Sequence, residues 1–314
     1  MPQPSYVHGA SATPLIGETI GVRFDRIAER FAERDALIVR HQQVRWTYRE
    51  LQRRVDAFAA GLLALGLEAG ERVGIWSPNN AEWVVAQLAT AKAGLILVNI
   101  NPAYRLAELE YALNKSGCSA LITAARFKTS DYVGMLNQLA PELADAAPGK
   151  LDATRLPRLR LAINIGGDSV PGMLRFEDVY DLGGDVERER IASLADTLQF
   201  DDPINIQFTS GTTGFPKGAT LTHHNILNNG FFLGEAMKFT ERDRVLHPGA
   251  ALPLLWHGDR QSRLPDAWCG DGVSERGVRP ARHARNRRGG ALHGALRGAD
   301  DVHRSAGSSR FPAL

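Results

Sequence analysis

Between Thr47 and Thr123 one pattern runs three times: a capped, helix-length amphipathic segment, then a short apolar run bounded by turn residues. Thr47 and Glu50 form a T-x-x-E capping box opening a helix over 48–65, with Leu51, Val55, Phe58, Ala59 and Leu62 at helical spacing. Gly66 suits the left-handed residue that closes such a helix, and Arg72 to Trp76 reads as a buried strand. Asn79 and Glu82 repeat the capping pattern ahead of a helix over 81–93, closed by Gly94, and Leu95 to Ile100 is a second apolar strand. Leu106 to Lys115 then forms a third helix, ended by Ser116-Gly117, with a strand over 120–123 after it. Strands joined by helices pair in parallel, because a parallel pair needs a crossover and the crossover helices cover the sheet. The predicted fold is therefore α/β, a largely parallel sheet flanked by helices.

The stretch 140–200 is less regular and is expected to hold loops or a subdomain connection, with Gly166-Gly167-Asp168 as a turn. Ile204 to Phe208 reads as a strand again. In a chain of 314 residues this leaves room for one large or two medium domains. Two cysteines, Cys118 and Cys269, make no disulfide framework and no metal-ligand spacing. The first residues lack a basic stretch followed by an apolar one, so no secretory signal is expected. The best apolar run, Val84 to Val98, is interrupted by Lys92 and falls short of the ~20 residues of a membrane helix. The expected location is the cytoplasm, with peripheral membrane contact if the substrate is a lipid.

After the strand at 204–208 comes Thr209-Ser210-Gly211-Thr212-Thr213-Gly214-Phe215-Pro216-Lys217-Gly218. Glycines let backbone N–H groups turn towards an anion, and hydroxyls donate further hydrogen bonds. Lys217 adds a point charge suited to phosphate. The string is not a P-loop of the G-x-x-x-x-G-K-[ST] kind, since Lys217 follows Pro216 and precedes Gly218. It describes a loop that grips phosphates. Other polar clusters carry less. His223 and His224 are adjacent, so on a helix they diverge, and they are expected near a helix start capped by Thr222. Trp76, Trp83 and Tyr104 are expected to pack rather than bind, and Arg53-Arg54 to lie on a solvated helix face.

This loop resembles the signature of the adenylate-forming (AMP-binding) superfamily, which contains acyl-CoA synthetases, luciferases and peptide-synthetase adenylation domains. Trp46-Thr47-Tyr48 with Glu50-Leu51, Asn79-Asn80 with Glu82-Trp83, and Asn101-Pro102-Ala103-Tyr104 with Glu108-Leu109 are similar to its N-terminal landmarks. So is Gly218-Ala219-Thr220-Leu221-Thr222-His223-His224-Asn225. Ser5-Tyr6, Pro14-Leu15 and Thr19-Ile20-Gly21 most resemble the fatty-acid branch, and the resemblance covers residues 5–245. It implies activation of a carboxylate by ATP to acyl-AMP, then transfer to CoA, with Mg²⁺ accompanying the nucleotide. Thr209, Ser210, Thr212, Thr213 and Lys217 would hold the β- and γ-phosphates, and Gly211, Gly214 and Gly218 would let the loop close. The catalytic lysine of the family lies beyond this chain. An aryl- or amino-acid-activating adenylation domain is the alternative within the superfamily.

Past Val245 the composition changes. Residues 246–314 contain eleven Arg and no Lys, Ile, Thr or Tyr; against six acidic residues they carry +5, leaving −3 for residues 1–245 of the chain's +2. Allowed codons for residues 246–260, read one base later, give Cys-Ile-Pro-Val-Pro-Leu-Tyr-His-Cys-Phe-Gly-Met-Val-Ile, the continuation expected of the family. Tryptophan has one codon, so the shifted frame must read Gly across Trp256-His257 and across Trp268-Cys269, where the family has glycine. Residues 246–314 are thus expected to be an out-of-frame, largely disordered tail, its arginines the product of a GC-rich message rather than a nucleic-acid-binding arm. The chain as written is expected to show little or no ligase activity, at most a remnant with weak ATP binding.

Overall fold

The computed structural model describes residues 13–209, 216–241, 243–247 and 268–270. Two sheets organise them. Helix α1 (Ile20–Arg30) precedes strands β1 (Asp35–Val39) and β2 (Val44–Thr47), which pair antiparallel. Then α2 (Tyr48–Ala64), β3 (Arg72–Trp76), α3 (Ala81–Lys92), β4 (Ile96–Asn99), α4 (Leu106–Ser116) and β5 (Cys118–Ala124) alternate as expected. A two-residue hairpin, β6 (Arg126–Phe127) and β7 (Ser130–Asp131), leads into α5 (Tyr132–Leu139). Next come β8 (Leu161–Ile165), β9 (Leu174–Arg175), α6 (Phe176–Val179) and α7 (Asp185–Thr197). Strands β10 (Pro203–Thr209) and β11 (Lys217–Thr222), then α8 (His223–Ala236), complete the main body.

The larger sheet has the order β11-β10-β4-β3-β5-β8-β9, parallel except for the β10–β11 pair. Neighbouring side chains on each strand enter opposite cores. Val73, Ile75, Leu97, Ala120 and Ile122 join α1, α2 and α3 on one face, while Trp76, Val98 and Leu121 join α4 and α5 on the other. The chain steps from β3 to β4, then crosses back over β3 to β5, which puts α3 and α4 on opposite faces. Ligands of open α/β sheets bind at the carboxyl ends of the strands beside such a reversal.

The capping box of α2 is as read: Thr47 Oγ1 accepts from Glu50 N at 3.2 Å and Glu50 Oε2 from Thr47 N at 2.8 Å. For α3 the cap falls one residue later than expected, on Asn80, whose Oδ1 accepts from Trp83 N at 2.8 Å. Asn80 is itself held by Ser77, three residues earlier, its Nδ2 donating to Ser77 Oγ at 2.8 Å. The stretch 140–200 is more ordered than its charged sequence suggests. It supplies β8, buried along its whole length, and α7, which has no fully buried residue and rests on its partly buried Ile191 and Leu194. Arg54, expected in solvent, lies 4.3 Å over the ring of Trp46.

Three contacts lock the body together. Lys92 of α3, almost wholly buried, ion-pairs with Asp25 of α1 and Asp56 of α2. Gly61 lets α2 pass so near α6 that a Cβ there would meet Val179 O at 1.9 Å. The segment before α1 is strapped to α8. Asn228 accepts Ile16 N at 2.8 Å and returns a bond to Ile16 O at 3.0 Å.

A second sheet has the order β12-β13-β1-β2, where β12 is Val245–His247 and β13 is Trp268–Gly270. Strand β13 runs parallel to β1 and β12 and separates them. The expectation of disorder for the remainder of 246–314 lies outside the described residues.

Candidate functional site: the β10–β11 hairpin

Strand β10 enters the sheet in parallel with β4, pairing Asn205 with Leu97 and Gln207 with Asn99, so its carboxyl end emerges at the ligand-binding edge. The chain then returns as β11 in tight antiparallel register, Phe208 opposite Gly218 and Thr209 opposite Lys217. Of the residues expected to hold phosphate, Thr209 and Lys217 form the last pair at the hairpin's mouth and Gly218 stands one step inside. Ser210, Gly211, Thr212, Thr213 and Gly214 lie outside the described residues. Thr209 Oγ1 donates to Lys217 O at 3.4 Å, and Lys217 is exposed. Gly218 answers a packing demand rather than a turn: a Cβ there would come within 3.2 Å of Ile206 Cγ2 and 3.6 Å of Phe208.

The neighbouring strand ends are rigid. Trp76, at the end of β3, stacks on Tyr132 with ring centres 3.8 Å apart, and its Nε1 donates to Asn101 O at 3.2 Å. Tyr132 OH donates to Pro102 O at 2.6 Å, so both aromatic residues fix the Asn101–Tyr104 turn after β4. Trp76 and Trp83 are buried, in line with packing roles. Burial, and then the neighbouring Glu108 and Tyr111, raise the Tyr104 phenol above its ordinary range.

Tyr111 of α4 went unrecognised in the sequence, where a tyrosine inside an amphipathic helix reads as packing. Its hydroxyl donates to Pro216 O at 3.2 Å and its ring meets Phe208 edge-on at 6.4 Å. On the far side of β11, Thr222 caps α8 as expected, accepting from Asn225 N at 3.1 Å. His223 is buried, Nδ1 accepting from Ile20 N, and burial drives its pKa to about 4 against the opposing charge of Asp202. His224 packs against Phe200 at 5.4 Å, so the two imidazoles share no ligand. Among the described residues no cluster of three His, Cys, Asp or Glu could hold a metal. No helix among them is long and apolar enough to cross a membrane. Cys118 is a free, buried thiol, pushed up to about 11 by desolvation.

A largely parallel sheet with helices packed on both faces, ending in the β10–β11 hairpin, makes this an α/β protein. The particular family follows from comparison: the profile of the AMP-binding enzyme family matches residues 24–258, and the chain belongs to that family. It is 47% identical over 241 residues to the human medium-chain acyl-CoA ligase ACSF2, mitochondrial, covering 76% of this chain and 39% of that protein. The chain thus spans about two fifths of the length of the curated relatives it matches. Among solved structures it resembles a long-chain-fatty-acid-CoA ligase (FadD1) from Archaeoglobus fulgidus, with TM-score 0.60, 23% identity and coverage of 79% and 45%. The anthranilate CoA ligase AuaEII in complex with anthranoyl-AMP gives TM-score 0.63 at 22% identity, covering 81% and 45%. These two likenesses concern the fold.

Proposed function

We propose that the complete protein is an ATP-dependent acyl-CoA ligase acting on a medium- or long-chain fatty carboxylate. The observation that carries this reading is the β10–β11 hairpin, which sets a glycine- and hydroxyl-rich loop with Lys217 at the carboxyl edge of a parallel sheet. A carboxylate oxygen attacks the α-phosphorus of ATP, the α–β bridging P–O bond breaks, and pyrophosphate leaves. The CoA thiol then attacks the acyl carbon, its proton is lost, and AMP departs with the electron pair of the C–O bond. Neither step needs a protein nucleophile in this part of the chain. Its contribution is to hold the departing phosphates and neutralise charge that grows on them. Thr209, Ser210, Thr212 and Thr213 supply hydroxyl donors, Lys217 the ammonium, and Gly211, Gly214 and Gly218 room for close approach. Mg²⁺, a hard cation preferring oxygen, would ride on the triphosphate.

The medium-chain choice is supported by the human relative's name, and the fatty-acid choice by the N-terminal landmarks. An aryl substrate is the second reading, in keeping with the name of the anthranilate ligase that shares the fold. The free, buried thiol of Cys118, in a sequence with no disulfide framework, supports a reducing compartment, the cytoplasm on our reading. Residues 246–314 are read as out of frame, so the test uses a gene whose frame is restored after Val245. ATP–pyrophosphate exchange with decanoate, palmitate and anthranilate ranks the substrates, and Lys217→Ala is expected to lower the exchange by about 10²-fold or more. Undiminished exchange in that variant would sink the proposal. The 314-residue chain, titrated with ATP in a calorimeter, is expected to bind weakly and form no acyl-AMP.

A further inference from the structure

Tyr111 touches both stems of the hairpin that presents the phosphate loop. Its ring lies edge-on to Phe208, the residue of β10 just inside the Thr209–Lys217 pair. Its hydroxyl holds Pro216 O, the last carbonyl before β11 begins. Phe208 in turn pairs with Gly218 across the hairpin, at a spot too tight for a Cβ without displacement. Strand β11 needs such a support. It is the edge of the seven-stranded sheet, it has only β10 beside it, and Lys217 to Thr220 are exposed. The tyrosine sits on α4, whose start is fixed by Glu108 accepting Arg105 N at 3.1 Å and whose Leu109 and Leu113 are buried.

We propose that Tyr111 is a positioning residue for nucleotide binding: its hydroxyl, by pinning Pro216, sets the place from which Lys217 meets the triphosphate. This rests on the reading of the loop as a phosphate grip. Tyrosine suits the task because the ring is locked by the sheet while the hydroxyl reaches a backbone acceptor that no other described side chain engages. A net hydrogen bond of this kind shifts a local equilibrium by about fivefold.

The test is tryptic cleavage of the 314-residue chain, followed by mass spectrometry at two bonds that each follow an exposed lysine, Lys217–Gly218 and the remote Lys150–Leu151. In Tyr111→Phe, cleavage after Lys217 should accelerate about fivefold with cleavage after Lys150 unchanged. Mg-ATP should slow cleavage after Lys217 in the parent, and the variant should need about fivefold more ATP for half-protection. Tyr111→Ala, losing the ring contact as well, should exceed both changes. If Tyr111→Phe matches the parent at Lys217, or speeds both sites equally, the positioning role is refuted while the phosphate-grip reading stands. If ATP leaves cleavage after Lys217 unaltered in the 314-residue parent and in the frame-restored protein alike, the grip itself fails and the nucleotide role of Tyr111 falls with it.

Discussion

The Nδ1 atom of His223 accepts the backbone N–H of Ile20 at 3.1 Å, joining residues 203 positions apart. With Nδ1 an acceptor, the ring is neutral and carries its proton on Nε2, which is buried and has no hydrogen-bond partner. Protonation would place a second hydrogen on Nδ1, pointed at the amide it now accepts. It would also charge a fully buried ring.

The first consequence is acid sensitivity. The pKa of His223 falls from 6.5 to about 4 in the fold, so its contribution is complete above pH ~6.5 and lost as pH falls through about 4. The span corresponds to stability on the order of 3 kcal/mol. Urea unfolding at pH 7.5, 5.5 and 4.5 should show a loss that is smaller in His223→Gln, whose side chain does not titrate. Parallel losses in parent and variant would disprove the assignment.

Gly61→Ala sets two effects against each other. Alanine favours the helix by about 1 kcal/mol, but its Cβ would stand 1.9 Å from Val179 O and 2.7 Å from Val179 Cγ1. Backbone cannot yield as a side-chain tip does, and overpacking of this severity costs about 3 kcal/mol or more. A net loss of at least about 2 kcal/mol is expected in chemical denaturation. An unchanged midpoint would mean that α2 and α6 are farther apart than described.

Lys92→Met removes the ammonium from between Asp25 and Asp56 and keeps most of the stem that packs on Gly21. The two carboxylates retain 41% and 44% exposure, so water can replace part of the pairing and the cost should be about 1–2 kcal/mol, below that of breaking a fully buried pair. Burial already raises the Asp56 pKa, with Lys92 opposing it, so the variant raises it further. A carboxyl with raised pKa stabilises at low pH and loses that contribution as pH rises through its folded value. The deficit of Lys92→Met should therefore be larger at pH 8 than at pH 5, measured by urea midpoints. The reverse trend would rule out the triad as the cause.

What the sequence disclosed depended on distance along the chain. The Thr47–Glu50 box, the Gly117 helix end and strands β3, β4, β5 and β10 are written in residues three or four apart, and they were legible. The cap of α3 falls on Asn80 rather than Asn79 because two adjacent asparagines both offer a capping oxygen, and the contact with Ser77 selects the second. Helix α1 and strand β8 were missed for different reasons. The first lies among arginines that hide its apolar face, and the second is a five-residue run inside a charged, proline-containing stretch. The loop announced itself through composition alone, whereas Tyr111 became a candidate only when α4 was seen beside the hairpin.

Asn228 grips Ile16 through both its amide groups, so a polypeptide path of more than two hundred residues begins and finishes at one buckle. Such a belt can be unfastened without being cut. Joining those two ends with a short peptide and opening the chain at an exposed turn, such as the one following β8, should yield a rearranged protein with the same interior.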